Sequence, residues 1–457
     1  MPAAPDASSN WAQPWTYSNE RDWFGTMRGE YDFNDNLTAY AAYGFRRSKE
    51  NNSLANLTVR NVNGDGSIYR FDNARKDKID TGEIGLRGKF NTGAVGHEWT
   101  AAANRFQSSR KNAYIMDWGN QYTTNLYNPS RYPQPAAADP LYSGNDMGNP
   151  AVTGKTRLTS FALGDTFSLW DKRLQFMLGA RWQQVHNKAY AYNTGAQTEN
   201  YKKSRLSPAA GAVYRITPNW SVYGNYIESL SQGATAASSA TVNGTAYTVS
   251  NAGESLKPFV SKQKEIGTKY EAGGFGAGLT LFHTDKPRSL YVVENNTARL
   301  TSEGKDRHQG AEITVYGEVA PGVKLLGGVT LLDAKQKSTG SSSTDGKRTI
   351  GAAKTQANIG LEWEVPKVQG LAFDGRMVYT GSSYADAANT LKVGGWTRFD
   401  IGARYRTQIG RHEATFRARL DNVANKKYWA SVGGYPNNGY LNAGAPRSFT
   451  LSASVDF

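Results

Sequence analysis

Aromatic and basic side chains concentrate in one polar stretch, residues 113–155. Two cations, Arg110 and Lys111, stand at its start, and six aromatic residues follow: Tyr114, Trp118, Tyr122, Tyr127, Tyr132 and Tyr142. Aromatic rings stack on planar groups and cations attract negative charge, so this combination suits a surface that binds a small anionic molecule. The alternative is that a long loop uses its aromatic residues only for packing. We take Arg110, Lys111, Tyr114, Trp118, Tyr122 and Tyr127 as candidate ligand-binding residues.

Residues for catalysis or for metal binding do not form a recognisable pattern. The five histidines are dispersed, with no pair at metal-ligand spacing: His97, His186, His283, His308 and His412. The chain has no Cys, which excludes disulfides, thiolate metal sites and Cys nucleophiles. No Gly-x-Ser-x-Gly elbow or phosphate-binding glycine loop occurs. We therefore predict a protein that is not an enzyme and has neither a metal site nor a cofactor of its own.

Basic residues outnumber acidic ones, 53 Lys and Arg against 39 Asp and Glu, for a formal net charge of +14. Arginines recur on the polar phase of alternating segments, and six are candidates for a charged inner surface: Arg181, Arg398, Arg404, Arg406, Arg417 and Arg419. They either pair with neighbouring carboxylates such as Asp400 or form a positive funnel that concentrates anionic ligands. These arginines follow the alternation of the strands and do not form a surface stripe, which argues against nucleic acid as a partner.

The elements that hold these residues are β-strands. Only 39% of residues are hydrophobic while 12% are aromatic, and no apolar stretch approaches the roughly 18–20 residues of a membrane-spanning helix. At the C-terminus, Phe449, Leu451 and Val455 alternate with polar residues. The same period of two recurs in residues 23–33, 174–182 and 398–406, and it gives each strand one apolar and one polar face.

Short turns and long polar connections alternate along the chain. The predicted turns, rich in Gly, Asn and Pro, are residues 34–36, 91–95, 171–172, 217–219, 273–274, 321–322, 366–370 and 410–411. The predicted long loops are residues 47–78, 113–155, 233–261, 338–348 and 433–447. This order gives about 17 antiparallel strands, many longer than the 9–11 residues that cross a bilayer. We predict an all-β fold, a transmembrane antiparallel β-barrel, over a soluble β-sandwich with its shorter strands.

Several motifs resemble the barrel of TonB-dependent outer-membrane receptors, in particular the ferric-siderophore branch. Residues 254–271 read ESLKPFVSKQKEIGTKYE and are similar to the family's entry into a mid-barrel strand, except at Phe259 and Lys264. Residues 421–429, DNVANKKYW, resemble the motif of the family's penultimate strand, and residues 444–449, GAPRSF, resemble its last strand. Residues 29–33 and 122–129 also resemble siderophore receptors, so the resemblance spans nearly the whole chain.

The resemblance implies a function in the outer membrane of a Gram-negative bacterium, where the barrel faces lipid. The partner would be a ferric siderophore that carries the iron, with the aromatic loop as a candidate surface for a catecholate or hydroxamate chelate. The terminal Phe457 resembles the signal for the barrel assembly machinery. Family barrels have about 22 strands and enclose an N-terminal plug domain that contacts TonB.

Against that family pattern, residues 1–457 are expected to be a partial barrel that lacks the plug and about five first strands. TonB would then be contacted only through the missing N-terminal region. Two strand edges, near Trp23 and Phe457, would be left unpaired, which lipid does not tolerate. Two other functions remain open: a passive porin-like channel and a soluble β-rich adhesin or enzyme domain.

Overall fold

A computed structural model describes residues 1–135, 142–435 and 438–456. Within these ranges the chain is almost entirely β-strand, which confirms the all-β prediction. No helix in these ranges is long and apolar enough to span a membrane.

Seventeen strands of nine residues or more dominate the described residues, which matches the count expected from the sequence. They are β1 Tyr17–Asn34, β2 Leu37–Val59, β3 Asp65–Thr92, β4 Val95–Met116, β7 Ala151–Leu169, β8 Leu174–Tyr190, β9 Gln197–Thr217, β10 Trp220–Ser231, β13 Phe259–Ala272, β14 Phe275–Glu294, β15 Thr297–Ala320, β16 Val323–Ser338, β17 Thr355–Glu364, β18 Leu371–Thr380, β21 Trp396–Ile409, β22 His412–Asp421 and β25 Ser448–Asp456. Eight short strands lie in the connections: β5 Tyr122–Asn125, β6 Ser143–Gly144, β11 Ser239–Val242, β12 Thr245–Thr248, β19 Ser383–Tyr384, β20 Lys392–Val393, β23 Trp429–Tyr435 and β24 Asn438–Ala443.

Each long strand pairs antiparallel with the next long strand along the chain, so the sheet is a simple meander. All eight predicted tight turns join strands at the same end of the sheet. At one of them Gly273 and Gly274 adopt φ of 60° and 82°, a conformation that glycine reaches without strain. The turn predictions are therefore confirmed. We call this end of the sheet the turn end and the opposite end the loop end.

One predicted long loop is wrong. Residues 47–78 form the paired ends of β2 and β3, which are joined only by residues 60–64. Polar residues are tolerated on both faces of a strand that extends into water, so this segment loses the apolar alternation by which a strand is recognised. Residues 433–447 do lie in the long connection between β22 and β25, where they contain most of the β23–β24 hairpin.

Residues 233–261 do form a loop, and the loop carries its own small hydrophobic cluster. Ala236 and Val249 pack on Ala298 and Leu300 of β15, and all four are buried. The side chain of Asn251 fixes this contact, because it donates to the carbonyl of Leu300 at 3.1 Å and accepts from its amide at 3.0 Å. The loop is therefore held against the loop end of the sheet.

The first and last strands each have one neighbour in the described parts of the chain. β1 pairs with β2 over its whole length, and β25 pairs with β22 from Asp421–Ser448 to Glu413–Asp456. Every described residue of β25 is exposed. The two edges that the sequence leaves unpaired are thus the free edges of this sheet.

The strand register separates two faces along the whole meander. One face carries the exposed apolar side chains, for example Trp23, Met27 and Leu451, which are 70%, 77% and 69% exposed. The opposite face carries the arginines and carboxylates. In lipid the apolar face must point outward and the polar face inward. We call them the outward and inward faces.

Candidate functional site

Five of the six arginines predicted for an inner surface lie together on the inward face. Arg398, Arg404 and Arg406 share one face of β21 because they stand an even number of residues apart. Arg417 and Arg419 join them from β22, since Arg417 is directly opposite Arg404 and Arg419 is opposite Gly402. Arg181 is also inward, but it lies on β8, far along the meander.

Carboxylates neutralise three of these arginines. Arg398 lies 2.9 Å from Asp400, whose side chain is buried and also accepts the backbone N–H of Asn422 at 2.8 Å. Arg419 contacts Asp421 at 2.9 Å and Asp374 at 3.2 Å. Arg404 contacts a carboxylate of β17, as described next. Buried and half-buried charges need such partners, so these pairs position the side chains firmly.

Arg404 lies 2.8 Å from Glu362 and borders a cavity of about 460 Å³ on the inward face. Arg406 and Arg417 also line this cavity, together with Thr450 and Ser452 of β25. Among the described residues, neither Arg406 nor Arg417 has a carboxylate within 4.0 Å. Arg181 donates to the hydroxyl of Ser160 at 3.0 Å. Three of the six predicted arginines therefore pair with carboxylates, and the other three have no carboxylate within 4.0 Å among the described residues.

The predicted aromatic residues are distributed over strand β4, the connection that follows it and the short strand β5. Tyr114 belongs to β4, where its ring stacks at 6.3 Å from Phe71 and meets Tyr192 edge-on at 5.1 Å. Trp118 is 47% exposed and meets Tyr69 edge-on at 5.1 Å.

Tyr122, in β5, lies 5.0 Å from the ring of Tyr132. Tyr127 is 43% exposed, and its hydroxyl donates to the carbonyl of Ala3 at 3.0 Å. Packing thus accounts for Tyr114 and Tyr122, while Trp118 and Tyr127 keep an exposed ring surface at the loop end. Part of the predicted stretch, residues 136–141, lies outside the described residues.

Arg110 and Lys111 do not form one basic pair. Both lie in β4, so they point to opposite faces, and their partners in β3 are Asp77 and Lys76. Arg110 is inward and lies 3.5 Å from Asp77. Lys111 is outward, next to another lysine. The prediction that both cations stand at the base of one ligand surface is therefore wrong, because the strand extends through them to Met116.

An N-terminal segment, residues 1–16, completes the loop end, and the sequence carries no signal for its position. Gln13 is buried and donates to the carbonyl of Ser130 at 2.8 Å, while its side-chain oxygen accepts from Tyr132 at 2.9 Å. On its other side, Trp429 donates to the carbonyl of Pro2 at 2.9 Å. The segment therefore connects the aromatic residues around Tyr127 with the connection that precedes β23.

A salt bridge joins the same segment to residue 427. Asp6 lies 3.2 Å from the ammonium of Lys427 and accepts from the hydroxyl of Ser8 at 2.6 Å. These bonds, that of Ser8 first, lower the pKa of the Asp6 carboxyl to about 2. The carboxylate is therefore charged at any physiological pH.

The described residues contain no group of three or more His, Cys, Asp or Glu side chains that could hold a metal ion. The two regions offer groups for non-covalent binding, namely cations on the inward face and exposed aromatic rings at the loop end.

A family model described as TonB dependent receptor-like, beta-barrel, matches residues 2–423. The chain belongs to this family. It is 33% identical over 459 residues to the ferrichrome receptor FcuA of Yersinia enterocolitica, an alignment that covers 100% of this chain and 58% of the relative. The chain thus spans little more than half the length of that receptor. Membership places it in the outer membrane of a Gram-negative bacterium.

Solved structures agree with this assignment. The crystal structure of BauA, the ferric preacinetobactin receptor of Acinetobacter baumannii, superposes with a TM-score of 0.88 at 33% identity, covering 100% of this chain and 66% of that one. The siderophore receptor PiuA of the same species superposes with a TM-score of 0.77 at 20% identity, which supports the fold alone. The loop end of the meander corresponds to the long outer loops that such barrels carry.

Proposed function

We propose that this chain forms the wall and outer loops of a receptor that imports a ferric siderophore, and that it acts in transport rather than in catalysis. The observation that carries the proposal is the 33% identity, over the whole chain, to a receptor named for ferrichrome. Similarity of the same degree to the ferric preacinetobactin receptor supports it further. In this proposal the siderophore holds the iron, so the chain needs no metal site and no cofactor.

The geometry supports a negatively charged chelate. Arg406 and Arg417 line an inward cavity, and neither arginine has a carboxylate within 4.0 Å in the described structure. Their positive charge therefore attracts anions into the barrel. At the loop end, the exposed rings of Trp118 and Tyr127 offer stacking surfaces. A ligand would meet the rings first and the cations further inside.

We propose three further partners. We assign the contact with TonB to the region that precedes the barrel in this family, and recognition by the assembly machinery to Phe457, which lies outside the described residues. The exposed apolar outward face is the surface for outer-membrane lipid.

A growth experiment tests the proposal. The chain is joined to the N-terminal region of the ferrichrome receptor relative and expressed in a strain without siderophore receptors, under iron limitation. We expect growth to be restored by ferrichrome or by ferric preacinetobactin, and to be lost when TonB is deleted. Growth that persists without TonB would instead indicate a passive channel. No growth with any chelate, despite normal barrel assembly, would contradict the proposal.

A further inference from the structure

Gln13 has a buried side chain, 2% exposed, although it lies in the N-terminal segment that precedes β1. The backbone N–H and the hydroxyl of Thr16 both donate to the backbone carbonyl of Gln13, at 3.0 Å and 2.7 Å, which fixes the residue just before the strand begins. A buried side-chain amide needs hydrogen-bond partners for its donor and its acceptor, because an unpaired buried group costs free energy. Its partners therefore show what this side chain holds in place.

The Gln13 amide bonds to backbone groups in the connection between β4 and β7. Its nitrogen donates to the carbonyl of Ser130 at 2.8 Å, and its oxygen accepts the N–H of Tyr132 at 2.9 Å. Between these two residues, the guanidinium of Arg131 donates to two carbonyls of the N-terminal segment. Bonds therefore run in both directions between that segment and residues 130–132.

Residues 126–129 form a bend that contains Tyr127 and is fixed at both ends. One end follows β5, which pairs with β3. The other end is Ser130, which Gln13 holds and whose own N–H donates to the hydroxyl of Thr124 at 3.0 Å. Gln13 thus fixes the end of the bend that is not part of the sheet.

Three contacts orient Tyr127 within this bend. Its backbone N–H donates to the side-chain oxygen of Asn125 at 2.8 Å, and its hydroxyl donates to the carbonyl of Ala3 at 3.0 Å. The ring lies directly on Gly64, in the turn between β2 and β3, where an added Cβ would come within 2.7 Å of the ring. Tyr127 is nevertheless 43% exposed. One side of the ring therefore packs on glycine, and the remaining ring surface is open to a ligand.

The N-terminal segment that supplies the Ala3 carbonyl is itself anchored beside β23. Trp429 donates to the carbonyl of Pro2 at 2.9 Å, and Asp6 forms its 3.2 Å salt bridge with Lys427. Ala3 lies between these two anchors in the chain, so the position of its carbonyl is fixed as well. The segment therefore bridges two connections of the loop end.

We propose that Gln13 is a positioning residue for ligand binding, which keeps Tyr127 in the orientation that presents its open ring surface to a ferric chelate. Gln13 is too deeply buried to touch a ligand, so it acts through the bend and the ring. A ring that is ordered before binding spares the complex the entropic cost of ordering it, and this raises affinity. The inference rests on the proposed function, because it assumes that a chelate stacks on Tyr127.

Hydrogen exchange of the full chain in detergent micelles tests the positioning without any ligand. Gln13→Met removes both side-chain bonds and nearly keeps the volume. Two hydrogen bonds of ordinary strength correspond to about 30-fold in an opening equilibrium, so the amides of residues 126–132 should exchange roughly 30-fold faster. The matched control is Gln336→Met, because Gln336 is also buried and donates to two backbone carbonyls, those of Arg348 and Ala387. This control should leave exchange of residues 126–132 unchanged.

A second variant makes the same position respond to pH. Gln13→Glu keeps the shape of the side chain, but its ionised carboxylate can accept from Tyr132 and cannot donate to Ser130. Burial raises the pKa of such a carboxyl above the ordinary Glu value near about 4.3, and the protonated form is a donor again. Exchange of residues 126–132, corrected for intrinsic rates, should therefore be fast at about pH 8 and slow as the pH falls toward about 5. The unaltered protein and Gln13→Met should show no such change.

Equilibrium binding of a ferric chelate to the receptor joined to a relative's N-terminal region tests the consequence for the ligand. Gln13→Met should weaken binding about 2- to 10-fold, the worth of one stacking contact, because a ring that moves freely stacks poorly. In a Tyr127→Ala background the same substitution should change affinity little, since no ring is left to position. Gln336→Met should leave affinity unchanged, and heat-modifiable gel migration checks that each variant folds.

The exchange experiments can overturn the proposal in three ways. The first is unchanged exchange of residues 126–132 in Gln13→Met, and the second is an equal loss of protection there in Gln336→Met, which would reflect general destabilisation. The third is a Gln13→Glu variant whose exchange does not respond to pH, and this result decides even if Gln13→Met does not fold.

Binding gives a further contradicting result. A loss of affinity in Gln13→Met that persists in full in the Tyr127→Ala background would mean that Gln13 does not act through this ring. A receptor that binds no chelate at all would contradict the proposed function, and with it a role of Gln13 in binding. The exchange data would still decide whether Gln13 holds the bend, so the two failures are distinguishable.

Discussion

At the residue scale, exposure separates the aromatic side chains that remain available to a ligand from those that pack. We predict that Trp118→Ala weakens binding of a ferric chelate about 2- to 10-fold, the worth of one stacking contact. Tyr122→Ala should weaken it less, because that ring already contacts Tyr132. Equilibrium binding to the receptor joined to a relative's N-terminal region measures both. Trp170→Ala, an exposed tryptophan in a turn at the opposite end, is the control and should leave affinity unchanged. Equal affinities for the Trp118 variant and this control would remove Trp118 from the ligand surface.

Charge on the inward face gives a second prediction at this scale. Replacing Arg406 and Arg417 by Gln should slow association of an anionic chelate, and the difference should shrink as salt rises, because screening shortens the reach of the field. Stopped-flow fluorescence at low and high ionic strength measures the rate. Lys111→Gln, which removes one charge from the outward face, is the control and should leave the association rate almost unchanged. A rate loss that is the same at every salt concentration would contradict steering by these two arginines.

At the element scale, the turn after β22 depends on Asn422. Its backbone adopts φ of 52°, and its buried side chain donates to the carbonyls of Lys426 and Ala445, both at 3.0 Å. We predict that Asn422→Ala destabilises the barrel by about 2–4 kcal/mol, because those acceptors lose a buried partner and Ala disfavours this φ. The thermal midpoint of heat-modifiable gel migration measures the loss. Asn422→Gly avoids the backbone cost but still loses the side-chain hydrogen bonds. Its thermal midpoint should therefore lie between those of the unaltered protein and of Asn422→Ala. Full stability of the Gly variant would mean that the side-chain bonds contribute nothing.

The connection between β18 and β21 gives a pH prediction. Burial by itself raises the pKa of the Asp386 carboxyl, but bonds from the amides of Leu391 and Thr390 lower it below its ordinary value. Because its pKa is lowered on folding, the ionised carboxylate stabilises the folded loop at pH values above the ordinary Asp pKa, near 4. This stabilisation is lost as the pH falls toward the lowered pKa. Hydrogen exchange of residues 385–392, corrected for intrinsic rates, should therefore speed up below about pH 4. In Asp386→Asn that pH dependence should disappear, and its persistence would assign the transition to another group.

An element can be predicted from the sequence when the interactions that define it are between residues close together in the chain. The tight turns depend on local chemistry such as Pro321-Gly322, and the membrane strands depend on apolar alternation, so both are recovered. The extensions of β2, β3 and β4 into water lose that alternation, so the sequence does not show that Arg110 and Lys111 lie in a strand and point to opposite faces. The site at the loop end also depends on contacts such as that between Trp429 and Pro2, which are far apart in sequence and leave no local pattern.

At the scale of the whole molecule, the alternation of tight turns and long loops fixes how the meander crosses the membrane. In this family's barrels the short turns are periplasmic and the long loops are extracellular. Ser341 lies in the connection between β16 and β17, at the loop end, whereas Asp35 lies in the turn between β1 and β2. The chain has no Cys, so one introduced Cys reports on one position alone. We predict that Ser341→Cys reacts with a membrane-impermeant thiol reagent in intact cells, and that Asp35→Cys reacts only after the outer membrane is permeabilised. Labelling of Asp35→Cys in intact cells, with Ser341→Cys protected, would reverse the orientation and place the loop end in the periplasm.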